Sequence, residues 1–89
     1  MSSFYSSRHE RTDIQCRIEY ILDLVSSEAF EGMIYDISES GFSLVTDQQL
    51  DIGQEITIKT DLYLPSQSGI VRWIKTDEDG GYIAGLEFR

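Results

Sequence analysis

The chain has 89 residues and a mass of 10.2 kDa, enough for one small domain and too little for a second. It carries 16 acidic residues against 7 lysines and arginines, for a formal net charge of −9. A surface of that sign repels the phosphates of nucleic acids and anionic lipids, so neither polymeric nucleic acid nor a membrane is an expected partner.

The cysteine and histidine content excludes an internal disulfide and gives no zinc-ligand spacing, because Cys16 and His9 are the only residues of their types. No apolar run approaches the roughly 18 residues that a membrane span needs, and the polar N-terminus has no apolar signal core. We therefore expect a cytoplasmic protein without a metal or a cofactor.

Beyond residue 13 the apolar residues occur in short runs rich in β-branched and aromatic side chains, without helical spacing. These runs predict six strands, over residues 14–25, 29–37, 41–46, 54–62, 66–75 and 81–88. Turn-forming Gly, Ser, Asp and Pro residues separate them. Six short strands predict an all-β fold, an antiparallel β-barrel, because closing the sheet removes its exposed edges.

The N-terminal segment differs from the rest in being polar and without periodicity. It contains Arg8, His9 and Arg11, which is much of the positive charge of the chain. We predict a flexible basic arm over residues 1–13, followed by the barrel domain over residues 14–89. The alternative is a solvated tail with no specific role.

Most aromatic residues are expected in the core, namely Tyr20, Phe30, Tyr35, Phe42 and Phe88. Strict alternation along the fifth strand puts Arg72 on one face with Ile70 and Ile74. Trp73 falls on the other face, as a core or rim residue or as an aromatic surface on which a base stacks. Arg72 either borders a ligand groove or lies elsewhere on the surface.

No nucleophile stands at a recognisable spacing from a base, so the sequence gives no evidence for an enzyme. The segment Asp-Ile-Ser-Glu-Ser-Gly at 36–41 is more informative. Asp36 and Ser38 project from one face if the strand persists, and Gly41 permits a turn without a Cβ clash. Their carboxylate and hydroxyl suit the edge of a nucleobase, although both residue types also commonly cap turns.

An arginine-containing arm, the pattern Asp36-x-Ser38-x-x-Gly41 and the ending Trp73…Gly-Leu-Glu-Phe at 85–88 together resemble a PilZ domain. The resemblance covers residues 7–88. It implies a six-stranded antiparallel barrel that binds the bacterial second messenger cyclic di-GMP and is not an enzyme. It also implies that Asp36, Ser38 and Gly41 read a guanine while two arm arginines clamp the phosphates and guanines.

The arm departs from the family's Arg-x-x-x-Arg motif. Arg11 matches the second arginine, but Ser7 stands at the first position and Arg8 follows one residue late. A shift of one residue moves a Cα by about 3.8 Å, so Arg8 either substitutes or points away. Losing one bidentate contact would cost about 1–3 kcal/mol, or about ten- to a hundredfold in affinity. His9 adds positive charge when protonated.

Two functions follow from the resemblance. The first is a receptor whose arm becomes ordered on binding cyclic di-GMP and thereby changes its affinity for an unidentified protein partner. The second is a degenerate PilZ domain that has lost the nucleotide and acts as a protein–protein interaction module, with Ser7 as the sign of that loss.

Overall fold

The computed structural model describes residues 12–22 and 28–89, which form six antiparallel strands. The strands are β1 (Thr12–Ile21), β2 (Ala29–Ile37), β3 (Gly41–Thr46), β4 (Glu55–Ile58), β5 (Ser68–Thr76) and β6 (Tyr82–Phe88). They close into a barrel in the order β1-β2-β3-β6-β5-β4, which confirms the predicted all-β fold. No helix that could span a membrane occurs in the described part of the chain.

The barrel closes through a short contact between β1 and β4, in which Tyr20 pairs with Ile58 and Ile21 with Thr57. β4 ends at Ile58, four residues earlier than predicted. At this end Gln67 forms hydrogen bonds with both the N–H and the carbonyl of Ile58. The Gln67 carbonyl accepts from the Ile58 N–H at 2.7 Å, and its side-chain amide donates to the Ile58 carbonyl at 3.1 Å. β1 begins two residues earlier than predicted and ends at Ile21, and residues 23–25, the end of the predicted strand, lie outside the described residues.

The barrel interior is filled by apolar side chains that alternate along the strands. The largest fully buried ones are Ile18, Tyr20, Ile34, Leu44, Ile56 and Val71. The Tyr20 hydroxyl bonds Thr46 Oγ1, and burial raises the pKa of this phenol above its ordinary value of 10.0. A buried hydroxyl is therefore paired inside an otherwise apolar core.

The aromatic residues predicted for the core follow that prediction with one difference. Phe42 is buried and its ring lies 5.3 Å from that of Phe88, which packs against the core as Phe30 does. Tyr35 was expected in the core, but it is 47% exposed because its neighbour Ile34 takes the inward position. Trp73 is 41% exposed and lies on the outer face of the barrel.

Two β-bulges explain where strict alternation fails. In β5 the register shifts between Val71 and Trp73, so Arg72 is an extra residue with no partner position on β6. Arg72 and Trp73 are consequently both exposed, while Ile74 packs against the core. The predicted grouping of Arg72 with Ile74 on one face is therefore wrong.

In β2 the register against β3 shifts between Ile34 and Asp36. Asp36 pairs with Ser43, which lies between the core residues Phe42 and Leu44 and therefore faces outward. The bulge thus places Asp36 on the outer face directly after the outward Tyr35. Each bulge puts two consecutive residues on the outside of the barrel.

Candidate functional site

An open groove crosses the outer face of four neighbouring strands. A continuous row of paired residues runs across it from β2 to β5. In this row Asp36 pairs with Ser43, Ser43 with Gly85, and Gly85 with Trp73. The groove has a volume of about 450 Å³. The residues that line it are Asp36, Ser38, Ser40, Gly41, Phe42, Ser43, Arg72, Trp73, Gly85, Leu86 and Glu87. We call it the outer groove.

Trp73 forms one wall of the outer groove because β6 has no side chain beneath it. A Cβ on Gly85 would overlap the indole, with Cζ2 only 2.7 Å away. The indole therefore occupies the space that a side chain at position 85 would fill, and the Lys75 Nζ lies 5.3 Å from its ring centroid. Glycine inside a strand often marks such a close approach.

The turn between β2 and β3 forms the opposite wall. The Ser38 N–H donates to the Gly41 carbonyl at 2.9 Å, and the Ser40 N–H donates to Ser38 Oγ at 3.3 Å. Ser38 thus makes the turn-capping contacts that its residue type favours, and its hydroxyl also borders the outer groove. β2 ends at Ile37, so Ser38 lies just beyond the strand.

Gly41 is needed for close packing and not for an unusual turn angle. A Cβ there would collide with the Leu86 carbonyl oxygen and lie 3.1 Å from its carbon, because Gly41 pairs with Glu87 at the start of β3. Left-handed backbone angles occur, within the described residues, at Gly53 and Gly80. The tight contact between β3 and β6 at Gly41 sets the end of the groove.

The outer groove carries two carboxylates and one guanidinium among its described lining residues, Asp36, Glu87 and Arg72. Asp36 is only 8% exposed. Arg72 Nε donates to Glu87 Oε1 at 2.7 Å, and both side chains are more than half exposed. The lining is therefore rich in hydrogen-bond acceptors and has a net charge of −1.

The root of the arm lies beside the groove. Thr12 pairs with Ile37 and Asp13 with Asp36, so the chain enters β1 alongside the residues that precede the turn. The predicted arm residues Ser7, Arg8, His9 and Arg11 lie outside the described residues.

The structure brings together five of the residues predicted for the site, namely Asp36, Ser38, Gly41, Arg72 and Trp73. Sequence analysis missed Ser40, Ser43, Gly85 and Glu87. Gly85 carried a usable signal, an isolated glycine within a strand. Ser43 could be found only from its pairing with Asp36, and Glu87 only from its pairing with Gly41. Within residues 12–22 and 28–89 no three His, Cys, Asp or Glu side chains cluster as a metal site would require.

Comparison with known proteins agrees with this architecture. The family model of the PilZ domain matches residues 6–89. Among solved structures, the inhibitor of motility (MotI/DgrA) of Bacillus subtilis superposes with a TM-score of 0.67 at 18% sequence identity, covering 96% of this chain and 43% of that one. This chain thus spans less than half of that protein. No curated protein matches the sequence. The match over nearly the whole length establishes that the chain belongs to the PilZ domain family.

Proposed function

We propose that this protein is a cytoplasmic receptor for cyclic di-GMP, in which the N-terminal arm closes over ligand held in the outer groove. The observation that carries the proposal is the register of β1, since Asp13 pairs with Asp36 and Thr12 with Ile37. Arg11 precedes Thr12 directly in the sequence, and Thr12 pairs with the residue that follows Asp36. PilZ domains are binding modules and not enzymes, which agrees with a shallow groove open to solvent.

The chemistry of the groove suits a guanine edge. A guanine offers N–H donors from its ring and exocyclic amine, and the Asp36 carboxylate and Ser38 hydroxyl border the groove as acceptors. Hydrogen bonds to a charged carboxylate in a poorly solvated position are stronger than those between neutral groups. Trp73 provides an aromatic face nearby.

The charge of the groove explains why an arm is required. A ligand with two phosphodiester charges would meet a lining of net charge −1 on a chain of net charge −9. Additional positive charge would come from Arg8 and Arg11 of the arm, which precede the strand that pairs with Asp36 and Ile37. Ligand binding would draw the arm onto the barrel and create a surface that a partner protein recognises differently.

The experiment is isothermal titration calorimetry with cyclic di-GMP, comparing the wild type with Arg11→Ala. We expect Arg11→Ala to abolish binding while leaving the circular dichroism spectrum and the Tm unchanged. Arg17→Ala is the matched control, because Arg17 is an exposed arginine of β1 outside the outer groove. Equal affinity of wild type and Arg11→Ala would refute the assignment.

A second function, a PilZ domain that binds a protein and no nucleotide, is favoured by Ser7 at the first arginine position. The variant Ser7→Arg separates the two. If the protein is a receptor, the added arginine should raise an affinity that the wild type already has. If the nucleotide site has been lost, Ser7→Arg should create binding where the wild type gives no heat.

A further inference from the structure

The Arg72–Glu87 ion pair lies in the outer groove, and the receptor function proposed for the arm and Asp36 gives it no role. Arg72 is the only cation among the described residues of the groove lining. It stands there because the β5 bulge inserts it between the paired positions of Val71 and Trp73. Glu87 lies on the neighbouring strand β6 and is opposite Gly41. The pair therefore spans the groove side of β5 and β6.

The Arg72 guanidinium can exchange its contact with Glu87 for a contact with another anion. Its side chains are 57% and 56% exposed, and an exposed pair of this kind contributes little to folding because water and salt screen it. The contact joins Nε of Arg72 to one oxygen of Glu87. A guanidinium has five N–H donors in a planar fork, so the same group can bind a phosphate in bidentate fashion.

We propose that Arg72 is a phosphate-binding residue of the groove and that Glu87 is its built-in competitor, which lowers affinity for anionic ligand by neutralising this guanidinium. The inference rests on the proposed function. Arg72 would make the phosphate contact that Ser7 cannot make. It belongs to β5 of the barrel and not to the arm. Glu87 then sets the ligand concentration at which the receptor responds.

The magnitude follows from one removed charge. Replacing Glu87 by glutamine keeps an acceptor for Arg72 and brings the net charge of the described lining from −1 to zero. The Arg72 guanidinium then no longer gives up a charged contact when it binds a phosphate, and at the strength of an exposed ion pair this strengthens binding by about two- to fivefold. Losing the charged hydrogen bonds of Arg72 weakens binding by about ten- to a hundredfold.

The test is calorimetric titration of cyclic di-GMP into wild type, Glu87→Gln, Arg72→Gln and the double variant at low and physiological salt. We expect tighter binding in Glu87→Gln, weaker binding in Arg72→Gln, and no gain from Glu87→Gln once Arg72 is absent. Glu55→Gln is the matched control, since Glu55 also pairs with an arginine, Arg89 at 3.9 Å, and does not line the groove. It should leave the affinity unchanged.

The outcomes separate this inference from the proposed function. If the wild type binds but Glu87→Gln gains nothing, the competitor role is refuted and the receptor stands. If Glu87→Gln gains equally with and without Arg72, Glu87 acts by general repulsion and the exchange is refuted. If the wild type gives no binding heat, while Glu87→Gln binds and the double variant does not, the inference stands and the wild type is not a receptor. If no variant binds, both are overturned.

Discussion

The packing of Trp73 on Gly85 can be tested by the variant Gly85→Ala. A Cβ at this position would lie 2.7 Å from Cζ2 of the indole, well inside the roughly 3.5 Å of a relaxed carbon contact. The Gly85 backbone is fixed by its pairing with Ser43 on one side and Trp73 on the other. Because the Trp73 side chain is 41% exposed, the indole must move outward to admit the methyl group.

Two opposing effects set the magnitude. Alanine in a strand is favoured over glycine by about 0.5–1 kcal/mol, because glycine loses more backbone entropy on folding. Forcing a methyl group into a filled contact costs about 1–3 kcal/mol. We therefore expect Gly85→Ala to lower the free energy of unfolding by about 1 kcal/mol, which lowers the Tm by about 4–8 °C in a domain of this size.

The sign of the effect should reverse when the indole is absent. In a Trp73→Ala background the overlap disappears, so Gly85→Ala should raise the free energy of unfolding by about 0.5–1 kcal/mol. Urea unfolding followed by far-UV circular dichroism measures all four proteins of this double-mutant cycle. A cost that is the same in both backgrounds, or a gain in the wild-type background, would refute the proposed packing.

Two further changes test the fold around the site. Gly41→Ala should destabilise the barrel more than Gly85→Ala, by about 3 kcal/mol, because its Cβ meets the Leu86 backbone and not a movable side chain; an unchanged Tm would contradict that close approach. Tyr20→Phe should cost about 1 kcal/mol in urea unfolding, since it removes the hydroxyl that bonds Thr46. The raised pKa of Tyr20 also makes this tyrosine ionise first in the unfolded chain, so its contribution to stability is fully present below about pH 10 and is lost as the pH rises above it. Tyr20→Phe should lose part of that alkaline decline, and identical pH profiles for the two proteins would count against a raised pKa.

The positions of the strands were accessible to sequence reasoning largely because several of the turns between them are local. The acidic segment 77–81 between β5 and β6 forms a turn, as its Asp and Gly residues predict, and the Asp77 N–H donates to the Gly81 carbonyl at 2.8 Å. β2 and β3, which meet at the turn within residues 36–41, have the bounds that were predicted for them. The end of β4 was missed because its cause, the capping by Gln67, comes from a residue nine positions later.

The faces of the strands were harder to predict than their positions. An alternating pattern assumes that no residue is inserted, and a bulge reverses every face beyond it. The bulge at Arg72 turned Trp73 outward, and the one between Ile34 and Asp36 placed Asp36 in the groove. Neither bulge has a local signal in the sequence, because a register shift is defined only by the pairing with the neighbouring strand.

The most direct test of the central claim is calorimetric titration of the wild-type protein with cyclic di-GMP at physiological salt, with GTP as the control nucleotide. We expect selective, saturable binding to cyclic di-GMP and no binding to GTP. Absence of heat at high micromolar cyclic di-GMP, with a protein shown to be folded by circular dichroism, would contradict it and assign the barrel to protein recognition alone.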